Sequence, residues 1–363
     1  MSTNVKLTFE QENAMNAIVH GIRRRDPVQT LGGYAGTGKT TIISELVRDN
    51  PEIAVCAFTG KAANVLTRKG VKATTIHRLI YEARKDKLAG QVRFIKKTSL
   101  PCPVIIVDEA SMVGRELHDH LTSFGKPVVY VGDHGQLEPV GSREFNLMRE
   151  PQHRLETIHR NAGEISRFAE WVRNGNEATR FPCEKTGQVR FFGRRSIRGT
   201  NLEIDVDQIV CAFNRTRVWI NEYVRAKVLP DAAWDGVDVA RGDRVICLRN
   251  NHSIGVFNGM QAVVTNVVAI SDAYLLDLDS YGETFAKVPA MPDQFGELST
   301  PPFNHDPRVP FDYSYCVTCH KAQGDEWDSV MVLEQRCDSW DHRRWAYTAA
   351  SRAREQVVWV TGF

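Results

Sequence analysis

Leu31-Gly32-Gly33-Tyr34-Ala35-Gly36-Thr37-Gly38-Lys39-Thr40-Thr41 is the stretch from which the rest of the chain is read. Within it, Gly33 to Thr40 fits the phosphate-loop pattern G-x-x-x-x-G-K-[ST]. Gly33, Gly36 and Gly38 let the backbone turn sharply, so that N–H groups converge on one concavity. Those groups, from Gly33 through Thr37 to Thr41, and the start of the next helix would hold phosphates. Lys39 would reach the β- and γ-phosphates of ATP, and the Thr40 hydroxyl would ligate Mg²⁺. The context agrees. Val28 to Leu31 reads as a short strand, and Thr41 to Val47 carries apolar residues at helical spacing.

The chain has 363 residues, enough for two or three domains, with 42% hydrophobic and 25% charged residues to build a core. A net charge of +2 means that a basic groove for nucleic acid is local and not global. Eight scattered cysteines show no disulfide framework and are read as reduced. The first eight residues lack the apolar core of a signal peptide, and no apolar run approaches the roughly 18 residues of a membrane span. The expectation is a soluble cytoplasmic protein, or one of a host cell's cytoplasm if viral.

In chain order, a helix is expected from Leu7 to about Arg24. Thr8 and Gln11 are spaced as a capping box. Gln11 has a second reading, recognition of an adenine edge, because an amide offers both donor and acceptor. Ile53 to Phe58 reads as a buried strand that delivers Thr59-Gly60-Lys61, where α/β sheets bind ligands. Thr74 to Leu79 starts another helix. Tyr81 to Leu100 is basic and includes an alternating Gln91 to Ile95 stretch. It reads as an inserted hairpin, either a solvated one or a strand-separating pin with Phe94 stacking on a base.

Pro103 to Val107 is an apolar strand ending in Asp108-Glu109. Asp108 is placed to hold Mg²⁺, and Glu109 to orient and deprotonate a water. Val128 to Asp133 is the next strand, followed by Gln136, a group that could bond the γ-phosphate. Leu155 to Asn161 contains Arg160, which could bring positive charge to a γ-phosphate. Beyond it, Ile165 to Arg173 and Thr216 to Val228 read as helices and Gln208 to Phe213 as a strand. Arg180 to Thr200 reads as irregular or hairpin structure. Short alternating strands from Gly242 to Leu278 suggest a small barrel. Tyr313 to Val317 and Ser329 to Glu334 read as buried strands. Trp345 to Arg354 reads as a helix, and Gln356 to Thr361 as the last strand. Arg352 is a second arginine-finger candidate, or a helix C-terminal arginine facing the dipole.

Cys316-Val317-Thr318-Cys319-His320 matches a haem-attachment pattern, C-x-x-C-H. With no export signal, and no second cysteine pair at zinc spacing, these cysteines are expected to pack as small apolar residues.

The blocks Gly33 to Thr40, Asp108 to Met112, Gly132-Asp133-x-x-Gln136-Leu137-x-Pro139-Val140, His320 to Trp327 and Tyr347 to Arg354 together resemble superfamily 1 helicases. The likeness is to the 5′→3′ group that includes RecD and the phage protein Dda. It spans Gln11 to Arg354. What it implies is an α/β fold with two tandem RecA-like P-loop domains: 1–81 with 101–160, and 161–249 with 312–363. A pin-like insertion would lie at 82–100 and an SH3-like insertion at 250–311. ATP would lie between the domains, with Glu326 near the ribose and Gln136, Arg160 and Arg352 about the γ-phosphate.

Single-stranded DNA, or a single-strand/duplex junction, would contact Phe58, Thr59, Lys61, His77, Phe94, Asn258, Thr318 and His320. The implied activity is ATP-driven translocation and unwinding by a monomer, in replication, repair or recombination, with a single-strand-binding protein among the partners. Phe58 departs from the family, which usually has Pro there; it would stack on a base or simply pack. Ala350 stands where a larger apolar residue is common. Two other functions are weighed: a translocase that remodels protein–DNA complexes, and a single-strand binder with a degenerate ATP site. Intact Lys39, Asp108, Glu109 and Arg352 argue against the second.

Overall fold

The structure is a computed structural model that describes residues 7–85, 92–137, 145–157, 163–184, 187–195, 205–230, 238–251, 254–299, 306–338 and 340–363. For 61, 83–85 and 92–94 it describes the backbone only. The chain divides into two compact units: Met1–Ala178 with Arg343–Ser351, and Thr179–His342 with Arg352–Phe363.

Unit 1 opens with α1 (Phe9–Arg24), whose N-terminus carries the expected capping box of Thr8 and Gln11. The strand β1 (Val28–Gly33) runs into the phosphate loop and then into α2 (Lys39–Asp49). Next come β2 (Ala54–Ala57), α3 (Gly60–Arg68), β3 (Ala73–Thr75) and α4 (Ile76–Ile80). Thr59 and Thr75 cap α3 and α4 through their hydroxyls. β4 (Tyr81–Lys85) and β5 (Val92–Lys96) pair antiparallel, Tyr81 opposite Lys96. β6 (Ile105–Asp108), α5 (Arg115–Thr122), β7 (Val128–Gly132), β8 (His153–Leu155) and α6 (Glu164–Arg173) follow.

The main sheet has the order β3-β2-β6-β7-β1-β8, and every pairing in it is parallel. Its central strands β1, β2, β6 and β7 are buried along almost their whole length, which explains why β2, β6 and β7 read as continuous apolar runs. The period of two sorts them. Val129 and Val131 join Leu31, Ile106 and the apolar faces of α1 and α2, while Val128 and Tyr130 join Ile105, Val107, Ile76 and Leu121 on the other side.

Unit 2 contains β9 (Val189–Gly193), β10 (Gln208–Cys211), α7 (Asn214–Val228), β11 (Arg244–Cys247), β12 (Gln261–Ala269), β13 (Tyr274–Ser280), β14 (Glu283–Ala290), β15 (Phe311–Tyr313), β16 (Cys316–Thr318) and β17 (Trp327–Leu333). The chain then forms α8 (His342–Ala350), most of which belongs to unit 1, and returns as β18 (Ala353–Thr361). One sheet is parallel, in the order β16-β10-β17-β18-β9. The other is antiparallel, in the order β14-β13-β12-β11-β15.

Three local expectations are corrected. Tyr313 to Val317 is not one strand. Phe311–Tyr313 pairs with β11 in the antiparallel sheet and Cys316–Thr318 pairs with β10 in the parallel one. The chain changes sheet at Ser314 and Tyr315, whose backbone bonds go to Arg244 and Ile209 respectively. The last helix stops at Ala350, and Ala353 already pairs with Trp327 as strand. Within the Gly- and Arg-rich 180–200 region, Val189–Gly193 is a strand at the edge of the parallel sheet, against β18. Among the described residues no helix is long and apolar enough to cross a membrane.

Candidate nucleotide site and strand-end residues

The phosphate loop has the backbone that its glycines allow. Gly36 and Gly38 take φ of 80° and 89°, in the region that side chains disfavour. Gly33 is required for another reason: a Cβ there would lie 2.6 Å from Thr37 Oγ1. The Thr37 hydroxyl donates to Tyr34 O at 2.8 Å and closes the loop. Lys39 Nζ donates to Gly33 O at 2.7 Å and Tyr34 O at 2.9 Å, so the ammonium lies across the loop carbonyls. Thr40 and Thr41 follow in the first turn of α2, both half-buried. Gln11 is anchored at both ends of its amide: Oε1 accepts from Thr8 N at 3.0 Å, and Nε2 donates to Thr37 O at 3.0 Å. The capping reading is therefore realised, and the same side chain braces the phosphate loop.

Asp108 ends β6, two strands from β1 across β7 in the sheet order. Glu109 takes φ 54° and ψ 41°, a left-handed conformation unusual for a residue with a side chain. Backbone strain of this kind, of order 1–3 kcal/mol, gathers at functional sites. After β7, Asp133 is buried and well bonded. Its Oδ1 accepts from Gly135 N at 2.8 Å, and its Oδ2 accepts from Gln136 Nε2 at 3.3 Å and from the Tyr347 hydroxyl at 2.7 Å. Gln136 Oε1, His134 Nδ1 and Ser111 Oγ are buried with no hydrogen-bond partner. Burial, opposed by the Asp133 carboxylate, holds the His134 imidazole below its ordinary pKa. Unpartnered buried polar atoms call for an explanation, and a polar ligand supplies one. Glycine-bared amides, a lysine, a Thr40 hydroxyl and strand-end carboxylates form a donor set that suits a nucleoside triphosphate with Mg²⁺.

Aromatic rings enclose Tyr34 of the loop. His134 lies 4.2 Å from it between centroids, Tyr347 meets it edge-on at 6.0 Å, and the Arg173 guanidinium sits 3.5 Å above its ring. Arg173, Asp133 and Tyr347 had no role in the sequence reading. Asp133 and Tyr347 lie inside the quoted blocks, but only the fold brings them together.

Phe58 and Thr59 follow β2, and His77 follows β3, at adjacent strand ends, since Ala57 pairs with Thr75. Phe58 is half-buried and packs on the cluster that contains Cys56 and Ile76. His77 stacks on Tyr81 at 5.7 Å, and burial lowers its pKa. Arg160 lies outside the described residues, as do the side chains of Lys61 and Phe94.

In unit 2, Thr318 ends β16 and its hydroxyl accepts from Lys321 N at 3.4 Å. Lys321 Nζ donates to Asn258 Oδ1 at 2.7 Å, so Asn258, Thr318 and His320 share one locality. Burial lowers the pKa of both His320 and Lys321. Arg352 is buried at the turn after α8, and its Nη1 donates to Asp325 O at 3.1 Å. Glu326 is exposed and paired with Arg354 at 3.3 Å. Cys316 and Cys319 are fully buried, and Cys316 packs with Cys211 in the core of the unit.

A family model described as "AAA domain" matches residues 6–194, and one described as "UvrD-like helicase C-terminal domain" matches 313–360. The RecD subunit of the RecBCD enzyme from Mycolicibacterium smegmatis is 26% identical over 90% of this chain and 67% of its own length. The ATP-dependent RecD2 DNA helicase of Deinococcus radiodurans is 27% identical over 90% of this chain and 46% of its own. The ATP-dependent DNA helicase dda of phage T4 is 30% identical over 47% of this chain and 43% of its own. The chain thus spans two thirds of the first relative and less than half of the other two.

Among solved structures, Pif1 helicase from Bacteroides in complex with ADP-AlF3 and ssDNA aligns with a TM-score of 0.59 at 20% identity, over 98% of this chain and 92% of that one. Pif1 helicase from Candida albicans gives 0.57 at 19% identity, over 99% and 95%. These show a shared α/β helicase fold with parallel sheets. More than half of the sequence falls under the first family model, residues 313–360 match a helicase domain, and RecD, RecD2 and Dda are among its relatives: the chain belongs to the AAA-domain family and is similar to the superfamily 1 helicases.

Proposed function

We propose that this chain is an ATP-driven motor that moves along single-stranded DNA, 5′→3′, and separates duplex ahead of it. The observation that carries the reading is the phosphate loop of unit 1, which follows β1 in a parallel sheet whose strands β6 and β7 lead into Asp108-Glu109 and Gln136, in a chain with a second parallel sheet whose strand β16 ends at Thr318, two residues before His320. The loop from Gly33 to Thr41 and Lys39 bind the phosphates. Thr40 and Asp108 would hold Mg²⁺, which would supply charge neutralisation for the phosphates. Glu109 orients and deprotonates the attacking water. Gln136, Arg160 and Arg352 bear on the γ-phosphate, Gln11 on the adenine edge and Glu326 on the ribose.

Phe58, Thr59, Lys61, His77, Asn258, Thr318 and His320 track the strand, with Phe94 on the β4–β5 hairpin acting as a pin. The antiparallel sheet of unit 2 is read as an SH3-like insertion. The contact of positive charge with the γ-phosphate is gained when ATP binds and lost on hydrolysis, which converts turnover into steps. The motor works as a monomer beside a single-strand-binding protein or recombination machinery.

The test is ATP hydrolysis with and without single-stranded DNA. A rise in turnover of about tenfold or more, about 1.4 kcal/mol in barrier, is expected. Displacement of 5′-tailed but not 3′-tailed duplexes then sets polarity. Hydrolysis that is DNA-stimulated without any strand displacement would favour a remodelling translocase, and no hydrolysis under either condition would sink the motor.

A further inference from the structure

Helix α8 bonds the segments that follow β1 and β7 inside unit 1. The Tyr347 hydroxyl accepts from Ala35 N of the phosphate loop at 2.7 Å and donates to Asp133 Oδ2 at 2.7 Å. Thr348 Oγ1 accepts from Leu137 N at 2.9 Å, and Arg344 Nη1 donates to Gln136 O at 3.2 Å. Tyr347 and Asp133 are 1% and 2% exposed, so both bonds of the hydroxyl are made away from water. A tyrosine hydroxyl has one proton to give. Here it goes to Asp133, and a lone pair takes the loop amide. Asp133 Oδ2 also receives Gln136 Nε2, and the far end of that amide, Oε1, is buried without a partner.

A continuous chain therefore runs from a phosphate-loop N–H through Tyr347 and Asp133 to the side chain assigned to the γ-phosphate. Hydrogen bonds linked in this way polarise one another in a low-dielectric interior. Packing leaves little slack. A Cβ on Gly135 would lie 2.8 Å from the Tyr34 ring and 3.0 Å from the Tyr347 ring.

We propose that Tyr347 is a positioning residue that couples the state of the phosphate loop to Gln136 and to α8. The proposal rests on the nucleotide-binding reading above. When the loop amides turn to a triphosphate, Ala35 N–H shifts relative to the hydroxyl. The Tyr347 hydroxyl passes that shift to Asp133 and Gln136 on one side and to α8 on the other. Arg352 is two residues beyond the end of α8, so the same helix turn carries the signal along the chain toward it.

Tyr347→Phe tests this, because it deletes the hydroxyl and keeps the ring. Thermal melts with Mg²⁺ and either ADP or a non-hydrolysable ATP analogue give a readout that packing alone would not move. In the unsubstituted chain the analogue is expected to raise Tm more than ADP does. In Tyr347→Phe the ADP increment should persist while the extra increment falls by half or more. Turnover should fall about tenfold with KM for ATP within about threefold.

Thr348→Val is the control: it removes a neighbouring α8 contact, so Tm falls, but the extra increment should survive. An equal loss of the increment in Thr348→Val would reduce the hydroxyl to general helix docking and overturn the proposal. So would a Tyr347→Phe protein that retains both the increment and the turnover. Absence of any nucleotide response in the unsubstituted chain would instead sink the nucleotide site itself.

Discussion

The two units treat their buried polar groups differently. In unit 2 the groups are paired with one another. Arg225 bonds Asp243 through two nitrogens at 2.8 and 2.9 Å, Tyr315 OH adds a third bond at 2.9 Å, and Arg217 pairs with buried Asp312. Gln208 Nε2 donates to three carbonyls, of Ile209, Ser314 and Tyr315, each at 3.1 Å. In unit 1, Ser111 Oγ, His134 Nδ1, Gln136 Oε1 and Arg173 Nη1 are buried and unpartnered, and the last three belong to the surroundings of one loop. Among the described residues of unit 2, Ser314 Oγ and Trp340 Nε1 are also in that state. A buried polar atom without a partner costs about 1–3 kcal/mol. Saturated networks mark scaffold, and a ring of unsaturated atoms around a glycine loop marks a place where something binds.

The sharpest way to break this contrast lies in the scaffold. Asp312→Ala leaves Arg217 buried and unpaired, and stability should fall by about 3–5 kcal/mol in a urea titration. A loss under about 1 kcal/mol would show that the pair is not isolated from water. In the site, Lys39→Ala should cut ATP turnover at least about a hundredfold, about 2.7 kcal/mol. Its Tm should stay within a few degrees, because among the described residues the lysine bonds the loop carbonyls of Gly33 and Tyr34. Hydrolysis near the unsubstituted rate would defeat the site assignment.

Gly38→Ala probes the loop backbone: at φ 89° a Cβ should cost about 1–2 kcal/mol and weaken nucleotide binding together with stability. Equal stability and affinity would mean that the loop relaxes freely. The smallest effect concerns acid. Burial lowers the pKa of His77, His118, His134 and His153 in unit 1 and of His320 in unit 2 below 6.5. A folded-state pKa below the unfolded value means that the unfolded chain binds more protons, so stability is full above pH 6.5 and declines as pH falls beneath it. Melts from pH 7.5 to 5.5 should show Tm falling, and a flat profile would mean that these imidazoles titrate like exposed ones.

Much of unit 1 was legible because its signals are local. Gly33 to Thr40 follows an apolar strand and opens a helix, and Thr8 with Gln11 caps α1 as its spacing predicts. Illegible features depend on distant partners. Val189–Gly193 alternates weakly, and only pairing with β18 makes it a strand. Tyr313 to Val317 looks uniform in hydropathy, yet Ser314 and Tyr315 divide it between two sheets. Ser351 and Arg352 continue a helical composition, but β17 captures Ala353. In the candidate site, Lys39, Asp108 and Glu109 were readable from motif chemistry. Tyr347 and Arg173 were not, because their relation to the loop spans more than 100 residues of sequence and exists only after folding.

The division at Ser314 and Tyr315 has a mechanical side. Two residues join the antiparallel sheet to β16, and three tethers grip that junction: Asn221 Nδ2 on Tyr313 O and Cys316 O, Gln208 Nε2 on Ser314 O and Tyr315 O, and Asn221 Oδ1 on Cys316 N. There is no slack in which the antiparallel sheet can tilt alone. A load applied to that sheet arrives as tension along β16, at Thr318. The antiparallel sheet is therefore a stiff lever arm whose short end is β16, the strand that ends at Thr318.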